Sequence, residues 1–465
     1  MDIAYRPPAP RPREAPLGAF ALLAALRRNP LECWTQRHFD ELIVEGGLPF
    51  GHVVLVHEPA AIRRVLMENA ANYRKDRLQR RVLSAGLADG LLSAEGEAWR
   101  TQRRVVAPVF AHRTVKDFAG PMIAAARRLG GRWPDDEGVL DMAVEMRRVT
   151  LDVLERTIFS DGFGRDAEDV RKAMAAYFGV IGRISPLDIV GAPDFIPRLA
   201  RWRVRATLKF FEAAMDDLIA ARRARLAANP AGAPDDVLTR LLAATDGEDG
   251  ASLSEAEVRS NVLTFFSAGH ETTANALTWA IFLLSQSPSW RGRVEREAAQ
   301  ALAGPVEGMA ERLPVTRAVI EEAIRLYPPI AAISRVAVGP DELGGTKVKR
   351  GSLVVISPYV LHRHRALWDE PDIFDPARFV GAARARIDRF AYLPFGVGAR
   401  ICVGQAFALQ EATLVLATIA GRFSFELMAD QAVWPLLSVT LRPAEGLRMR
   451  VRRKATAMDH LRAAS

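Results

Sequence analysis

A ten-residue segment near the C-terminus contains the residues best suited to chemistry. It reads Phe-Gly-Val-Gly-Ala-Arg-Ile-Cys-Val-Gly over 395–404, and the apolar pattern that follows predicts a helix over 405–420. A cysteine at a helix N-terminus meets free backbone N–H groups and the positive end of the helix dipole, which favour thiolate over thiol. Because no other cysteine is nearby, a thiolate at Cys402 suits a single axial bond to haem iron.

A second candidate site lies in the middle of a long apolar helix. Ser254 and Glu257 form a capping box, and apolar spacing then runs to about Leu284, before Pro288. Some 30 residues make a helix of roughly 45 Å, which must cross the core of a domain. Its centre, 268–273, reads Ala-Gly-His-Glu-Thr-Thr. A glycine, an acid and two hydroxyls are locally unfavourable in a core helix, and such violations mark functional sites.

The composition is that of an ordinary globular protein. The chain has 465 residues, of which 49% are apolar and 25% charged, with a formal charge of +8. Its 56 arginines and 7 lysines are spread along the chain and alternate with acids, so we expect no nucleic-acid partner. Cys33 and Cys402 are the only cysteines, which excludes a disulfide framework and any multi-cysteine zinc or iron–sulfur site.

The N-terminal segment has early charges and many prolines but lacks the apolar core of a signal peptide. The apolar run 17–26 is half the length that spans a bilayer, and His270 and Glu271 interrupt the longer run 262–284. We therefore expect a cytoplasmic monomer without a membrane anchor.

Helical patterns dominate the chain, and strand-like runs are few and short. We expect a single domain over 1–465, with a proline-rich arm at 1–16 and a polar tail at 455–465, and the fold class mainly α with a small β part (α+β). The predicted helices, besides the two above, are 60–69, 97–110, 117–132, 141–159, 167–184 and 202–228. The predicted strands are 52–57, 353–357 and 447–451.

Together these motifs resemble those of the cytochrome P-450 superfamily, the haem-thiolate monooxygenases. The segment 395–404 matches every defined position of the family pattern Phe-x-x-Gly-x-Arg-x-Cys-x-Gly, and Ala268-Gly-x-Glu-Thr-Thr273 resembles the oxygen-binding motif of its central helix. Glu322-x-x-Arg325, Pro376-Ala-Arg378-Phe379 and Trp99-x-x-x-Arg103 resemble three further signatures, in the family's order. The resemblance spans 99–404 and implies the P-450 fold, with the long helix crossing the haem core.

The resemblance implies haem b as cofactor, with Cys402 as its iron ligand. Trp99 and Arg103 share one helix face and can offer an indole N–H and a guanidinium to the haem propionates. Arg335 and Arg400 are further propionate partners by the same resemblance. The other implied haem contacts are Phe395, Gly396, Gly404 and Ala268.

Three further residues are implied to be structural. Glu322 and Arg325 share a helix face, and with Arg378 they form a buried ionic network that sets the loop before Cys402. Removing one partner would leave an unpaired buried charge, at a cost of roughly 3–5 kcal/mol.

The implied reaction inserts one oxygen atom of O2 into an unactivated C–H bond and reduces the other atom to water. Glu271 would pass protons from solvent, Thr272 would hold a water or the bound dioxygen, and Gly269 would leave room for dioxygen. The pocket walls implied by the family topology are mostly apolar, which fits a lipophilic fatty acid, terpenoid or aromatic substrate. They include Phe265, Phe266, Ala268, Ile330, Ala331, Ala332, Ile333 and Leu437, together with parts of 77–92 and 177–205.

The chain contains no flavin or nicotinamide fingerprint, so electrons must come from a separate protein. We expect an acidic ferredoxin or flavodoxin, with its NAD(P)H-dependent reductase, to dock on a basic surface at the cysteine side. The residues expected there are Arg100, Arg104, Arg113, Lys116 and Arg365.

Two other functions remain open from the sequence. A peroxygenase would take oxygen from peroxide, although such enzymes often lack the acid–hydroxyl pair that Glu271 and Thr272 supply. A non-catalytic haem binder or gas sensor would need no electron donor. A zinc-protease helix is excluded because Ala274 stands where His-Glu-x-x-His needs its second histidine. We interpret His362 and His364 as structural.

Overall fold

The computed structural model describes residues 4–48, 51–76, 79, 90–160, 162, 199–245 and 250–454. Within this part of the chain, helices form most of the molecule and the strands are short, as the sequence predicted. The α-helices are α1 (Ala19–Arg28), α2 (Gln36–Asp40), α3 (Pro59–Arg63), α4 (Gly96–Val106), α5 (His112–Val115), α6 (Ala119–Gly130), α7 (Met142–Ile158), α8 (Leu199–Ala228), α9 (Val237–Ala243), α10 (Glu255–Ser285), α11 (Pro288–Leu302), α12 (Pro314–Leu326), α13 (Pro358–Leu361), α14 (Ala382–Ala385) and α15 (Gln405–Ala420).

The predicted helices within the described residues are present, with ends shifted by a few residues. One differs in form, because the helix expected over 60–69 changes from α3 to a π-helical turn over Arg64–Glu68. The helix predicted over 167–184 lies outside the described residues, as does the C-terminal tail. None of the helices in the described ranges is both long and apolar enough to cross a membrane.

The β part is divided among four small sheets. The strands are β1 (Ile43–Leu48), β2 (Gly51–Val56), β3 (Tyr73–Arg74), β4 (Glu137–Asp141), β5 (Ile333–Ala337), β6 (Asp341–Leu343), β7 (Thr346–Val348), β8 (Leu353–Ile356), β9 (Phe423–Leu427), β10 (Pro435–Leu437), β11 (Leu441–Pro443) and β12 (Arg448–Arg453). The largest sheet has the order β1-β2-β8-β5-β3, and β4-β12-β9, β10-β11 and β6-β7 form the others.

The long helix α10 begins and ends where its sequence signals predict. The Ser254 side chain accepts a hydrogen bond from the Glu257 N–H, and the Glu257 carboxylate accepts one from the Ser254 N–H at 2.9 Å. From Thr273 to Leu284 every residue is buried, so this half of the helix is surrounded by other elements. Its 31 residues make it about 46 Å long.

The hydrophobic core forms around α10. Trp279 stacks on Tyr327, the residue that follows α12, with ring centroids 3.8 Å apart, and both side chains are fully buried. The N-terminal arm also packs on this core, since Tyr5 meets Phe282 edge-on and the Tyr327 hydroxyl donates to the Pro8 carbonyl at 2.8 Å. A smaller apolar cluster lies on the five-stranded sheet.

Candidate active site

The loop that carries Cys402 has a backbone that only glycine adopts easily. Gly396 and Gly398 have φ values of +71° and +79°. A Cβ on Gly398 would also collide with the Leu66 carbonyl. The Cys402 N–H donates to the Phe395 carbonyl at 2.9 Å, which closes the loop just before α15 begins at Gln405. The glycine spacing seen in the sequence is therefore required by the shape of the loop.

The surroundings of Cys402 have opposing effects on the pKa of its thiol. The residue has accessible surface, yet the protein packed around its sulfur makes desolvation the largest effect and raises the pKa of the thiol. A hydrogen bond from the Gly404 backbone and the charge of Arg103 act in the opposite direction. The backbone at the helix N-terminus therefore favours thiolate, as expected, while burial opposes it with the larger effect. A coordinated metal ion would deprotonate this thiol outright.

Arg103 and Trp99 both face this loop from α4. The Arg103 guanidinium donates to the carbonyl of Ile401, the residue before Cys402, at 2.8 Å. Burial lowers the pKa of Arg103, while the nearby Cys402 raises it. The Arg400 guanidinium lies over the Trp99 ring, 4.3 Å from its centroid, so the motif on α4 and the cysteine loop are in direct contact.

Arg335 and Arg400 belong to a cluster of cations that includes a residue which sequence reasoning missed, Lys75. Glu95 bridges two of them, at 3.0 Å from Arg400 and 3.2 Å from Lys75. Burial and the charge of Arg400 lower the pKa of Lys75 to about 8. The same two causes lower the pKa of Arg335. Lys75 is buried and the two arginines are partly buried, and a group of three neighbouring cations is suited to binding carboxylates.

Strand pairing explains why Lys75 joins this cluster. β3 pairs antiparallel with β5, with Tyr73 opposite Ala337 and Arg74 opposite Val336. One further step of this register places Lys75 opposite Arg335. No motif surrounds Lys75 in the sequence, and the pairing that brings it to the site joins segments about 260 residues apart. The only sequence feature that could have drawn attention to Lys75 is that lysine is rare in this arginine-rich chain, which has seven lysines.

The middle of α10 presents Ala268 and Thr272 on one face. Ala268 is exposed, and the Thr272 hydroxyl donates to the Ala268 carbonyl at 2.6 Å, one turn back along the helix. This bond uses the only hydroxyl proton and leaves the Thr272 oxygen able to accept a hydrogen bond from water.

Gly269 has a packing role that was not expected from the sequence. A Cβ at this position would meet the Leu154 side chain of α7 at 3.2 Å. The glycine therefore allows α7 to approach α10 closely, and space for dioxygen against its backbone stays a prediction. The Thr150 hydroxyl of α7 reinforces this approach by donating to the His270 carbonyl at 3.1 Å.

Glu271 points to a residue that the sequence did not single out. Its Oε1 accepts a hydrogen bond from the Thr440 hydroxyl at 2.7 Å, and Thr440 accepts one from Asn275 at 3.0 Å. Arg147 of α7 is close enough for the Glu271 charge to raise its pKa, although burial lowers it more. Burial and Arg147 also lower the pKa of the neighbouring His270 to about 4, so the imidazole is neutral at pH 7.

The structure brings Glu322, Arg325 and Arg378 together. Arg325 makes two hydrogen bonds to the Glu322 carboxylate, at 2.6 and 2.8 Å, and both side chains are fully buried. Arg325 also donates to the carbonyls of His362, Pro371 and Ile373. Arg378 lies 3.8 Å from Glu322. This network therefore fixes the segment 362–378, which precedes the cysteine loop.

His362 connects this network to the loop directly. Its Nε2 accepts from the Leu393 N–H at 2.8 Å, and its Nδ1 lies 3.3 Å from the Arg325 carbonyl. Both ring nitrogens are therefore used in backbone hydrogen bonds. Among the described residues, no group of three or more His, Cys, Asp or Glu could hold a metal ion.

The predicted pocket residues differ in their solvent exposure. Phe265 packs edge-on against Phe110 at 4.8 Å and Phe266 stacks on Phe159 at 5.4 Å, so both contribute mainly to the core. Ala331 is also buried, whereas Ile330, Ala332 and Ala268 are exposed and Ile333 and Leu437 are intermediate. The predicted segments 77–92 and 177–205 fall mostly outside the described residues. Their part in a pocket stays a prediction.

A cavity of about 530 Å³ opens beside Cys402 on the side of α5 and α12. The Lys116 ammonium pairs with Glu311 at 2.8 Å, and Glu311 is one of its walls. Arg365 lies elsewhere, beside Phe39 and Asp40 of α2. The cavity is lined by His112, Ala310, Glu311, Pro314, Arg317, Ile401, Cys402, Val403, Gln405, Ala406, Leu409, Gln410 and Thr413.

Comparison with known proteins identifies the family. The family model described as Cytochrome P450 matches residues 26–449, and the chain belongs to this family. Cyclooctatin synthase of Streptomyces melanosporofaciens is 33% identical over 433 residues, which are 92% of each chain. Pentalenene oxygenase of Streptomyces avermitilis is 31% identical over 366 residues, covering 78% of this chain and 80% of that protein.

Solved structures agree with the fold. The crystal structure of the cytochrome P450DA haem domain superposes with a TM-score of 0.81 at 26% identity, covering 98% of this chain and 99% of that one. The fold is therefore the α+β cytochrome P450 fold, and the protein is a cytochrome P450 monooxygenase. Enzymes of this class use haem, dioxygen, an organic substrate and a redox partner.

The residues of this site fit a haem. Cys402 offers one sulfur ligand, and among the described residues Glu95 and Asp76 are the carboxylates whose charges act on the cluster of Lys75, Arg335 and Arg400. A dianionic pair of propionates would complete that cluster. Phe110 contacts both Phe265 of α10 and Phe407 of α15, so the helix that follows Cys402 and the long helix converge on one side chain.

Proposed function

We propose that the protein hydroxylates a lipophilic small molecule of the terpenoid class, with haem b as its cofactor. The observation that carries the proposal is the rigid Cys402 loop next to the Lys75, Arg335 and Arg400 cluster. The substrate class is supported by the names of two relatives, cyclooctatin synthase and pentalenene oxygenase. The exposed apolar residues Ile330, Ala332 and Ala268 suit a ligand of this kind.

The roles of the protein residues follow from their contacts. Cys402 would supply the thiolate that ligates haem iron, and the three cations would bind its propionates. Bound haem activates dioxygen with two electrons, and the overall reaction converts a C–H bond, O2, two electrons and two protons into an alcohol and water. Glu271 would pass protons from solvent, and the Thr272 oxygen would accept a hydrogen bond from a water molecule that carries them.

We also propose that an acidic ferredoxin or flavodoxin, reduced by its NAD(P)H-dependent reductase, docks over the cavity beside Cys402. Support comes from Lys116 at the edge of this cavity and Arg317 in its wall, both about half exposed. Docking through such charges weakens as ionic strength rises. Arg365 is omitted from this surface because it lies beside Phe39 and Asp40 of α2 and is not among the residues that line the cavity.

The two cysteines offer a matched test of the central step. Cys402→Ser should abolish the red-shifted absorbance of the reduced carbon monoxide adduct, because serine cannot supply thiolate. Cys33→Ser, at a half-buried cysteine in another part of the fold, should keep it. A red-shifted band that survives in Cys402→Ser would contradict the proposal.

The substrate class is tested by the spin state of the iron. A panel of terpene hydrocarbons, fatty acids and aromatic compounds is titrated into the holoenzyme, and pentalenene or a related hydrocarbon should give the largest high-spin shift. A response confined to fatty acids or aromatics would reject the terpenoid class. Turnover with a surrogate ferredoxin system and NADPH then distinguishes a monooxygenase from a haem sensor.

A further inference from the structure

A seam of three hydrogen bonds joins α10 to the β10–β11 hairpin. Glu271, Asn275 and Trp279 lie at successive four-residue steps and therefore share one face of α10. Glu271 accepts from the Thr440 hydroxyl, Asn275 donates to the same hydroxyl, and Trp279 donates to the Leu441 carbonyl at 3.2 Å. The hairpin thus follows the helix for two turns and ends beside the acid in the oxygen-binding motif.

The donor and the acceptor of each hydrogen bond along this seam can be assigned in only one way. An ionised carboxylate only accepts, so the single hydroxyl proton of Thr440 must point to Glu271. The Thr440 oxygen must then accept the bond from Asn275, which donates through its amide nitrogen. Asn275 and Thr440 are 1% and 3% exposed, so solvent does not compete for these groups. The buried pair is therefore set to donate one hydrogen bond to Glu271.

The hairpin holds Thr440 in place independently of Glu271. Thr440 lies in the turn between β10 and β11, where the Ser438 N–H donates to its carbonyl at 3.2 Å. The next residue, Leu441, is fully buried and donates its N–H to the Pro329 carbonyl at 3.0 Å. Because these backbone hydrogen bonds hold Thr440, its hydroxyl can fix the orientation of the Glu271 side chain, which has three rotatable bonds.

We propose that Thr440 is a positioning residue for the reaction, which orients the Glu271 carboxylate for proton transfer. The inference rests on the proposed role of Glu271. Thr440 occupies Oε1 and leaves the lone pairs of Oε2 for a proton-carrying water. Without this bond the carboxylate samples other rotamers, protons arrive more slowly, and reduced dioxygen leaves as hydrogen peroxide. Dioxygen, two electrons and two protons then give peroxide in place of alcohol and water.

The test uses Thr440→Val and Thr440→Ala, with Thr440→Ser as the variant that keeps the hydroxyl. The holoenzyme is supplied with NADPH, a surrogate ferredoxin system and pentalenene as probe. We expect the peroxide formed per NADPH to rise roughly 3- to 10-fold in Val and Ala and to return near the wild-type value in Ser. The urea midpoint of each variant reports any purely structural effect.

A double mutant identifies the pathway of the effect. If Thr440 acts through Glu271, Thr440→Val should cause no further uncoupling in a Glu271→Gln background. Product formation driven by iodosylbenzene, which delivers an oxygen atom without protons, should be the same in Thr440→Val and wild type. Additive uncoupling in the double mutant, or equal uncoupling in Ser and Val, would overturn the inference.

An infrared measurement does not depend on turnover. The Glu271 carboxylate band is identified by subtracting the Glu271→Gln spectrum, and Thr440→Val should shift it because one hydrogen bond is lost. If Glu271→Gln leaves coupling unchanged, the proposed role of Glu271 fails. If Glu271→Gln uncouples but Thr440→Val neither uncouples nor shifts the band, only the role of Thr440 fails.

Discussion

The Lys75 ammonium group is buried next to two other cations. It donates to the carbonyls of Leu92 at 2.6 Å and Ala94 at 3.4 Å and lies 3.2 Å from the partly exposed Glu95, while the charges of Arg400 and Arg335 lower its pKa. A buried cation among cations is costly unless an anion binds there. We therefore propose that Lys75 belongs to a carboxylate site that the haem propionates would complete.

Replacing Lys75 should weaken haem binding specifically. A charge-assisted hydrogen bond contributes about 1.5–3 kcal/mol, so Lys75→Met should speed haem loss by about tenfold or more. The measurement is the rate of haem transfer to apomyoglobin. Lys347→Met, at an exposed position in strand β7, is the matched control and should leave the rate of haem loss unchanged. Equal haem loss in the two variants would remove Lys75 from the site.

At the scale of secondary-structure elements, the position of the segment 362–378 depends on the buried ion pair between Glu322 and Arg325 of α12. Arg325 is surrounded by three backbone carbonyls and the Glu322 carboxylate, and the Asp375 N–H also donates to Glu322 at 2.8 Å. This arrangement binds an irregular segment to α12 through backbone groups. The cysteine loop follows this segment and is tied to it through the bond from His362 to Leu393.

Breaking this pair should be far more harmful than breaking a surface pair. Glu322→Ala leaves the Arg325 charge buried and uncompensated, at a cost of about 3–5 kcal/mol, and should yield little folded haem protein. Glu426→Ala removes an exposed partner of Arg450 and should cost less than about 1 kcal/mol. Urea unfolding and the yield of haem-loaded protein measure both. Similar midpoints for the two variants would contradict the buried network.

Elements whose signals are local were predictable from the sequence. The ends of α10 are predicted by a capping box and a proline. The glycines of the cysteine loop indicate a tight backbone, and the structure has left-handed φ values at Gly396 and Gly398. Lys75, Asn275 and Thr440 could not be found in this way, because strand pairing and a hairpin contact bring them to the site. The packing role of Gly269 could not be found either, because it depends on a contact with Leu154 of another helix.

At the scale of the whole molecule, several buried histidines make folding sensitive to acid. Burial lowers the pKa of His57 to about 3 and that of His270 to about 4, and it lowers the pKa of His362 well below its usual value. His57 is fully buried, and neither of its ring nitrogens has a hydrogen-bond partner among the described residues. All three residues are therefore neutral in the folded protein at pH 7.

The sign of the pH dependence follows from these shifts. The unfolded chain protonates each histidine near pH 6.5, whereas the folded protein does not until the pH is about 4 or lower. Between these values the unfolded state binds more protons at these histidines, so their contribution to the free energy of unfolding falls as pH decreases. From pH 7 to 5.5, each buried histidine should lower the free energy of unfolding by about 1 kcal/mol, as measured by urea unfolding of the holoenzyme. His57→Leu should therefore reduce the loss measured for the wild type by about 1 kcal/mol, because one buried imidazole no longer titrates in the unfolded chain. His112→Gln, at an exposed position, should leave the loss unchanged. An identical pH dependence in His57→Leu and wild type would mean that His57 is protonated in the folded protein, in conflict with its burial.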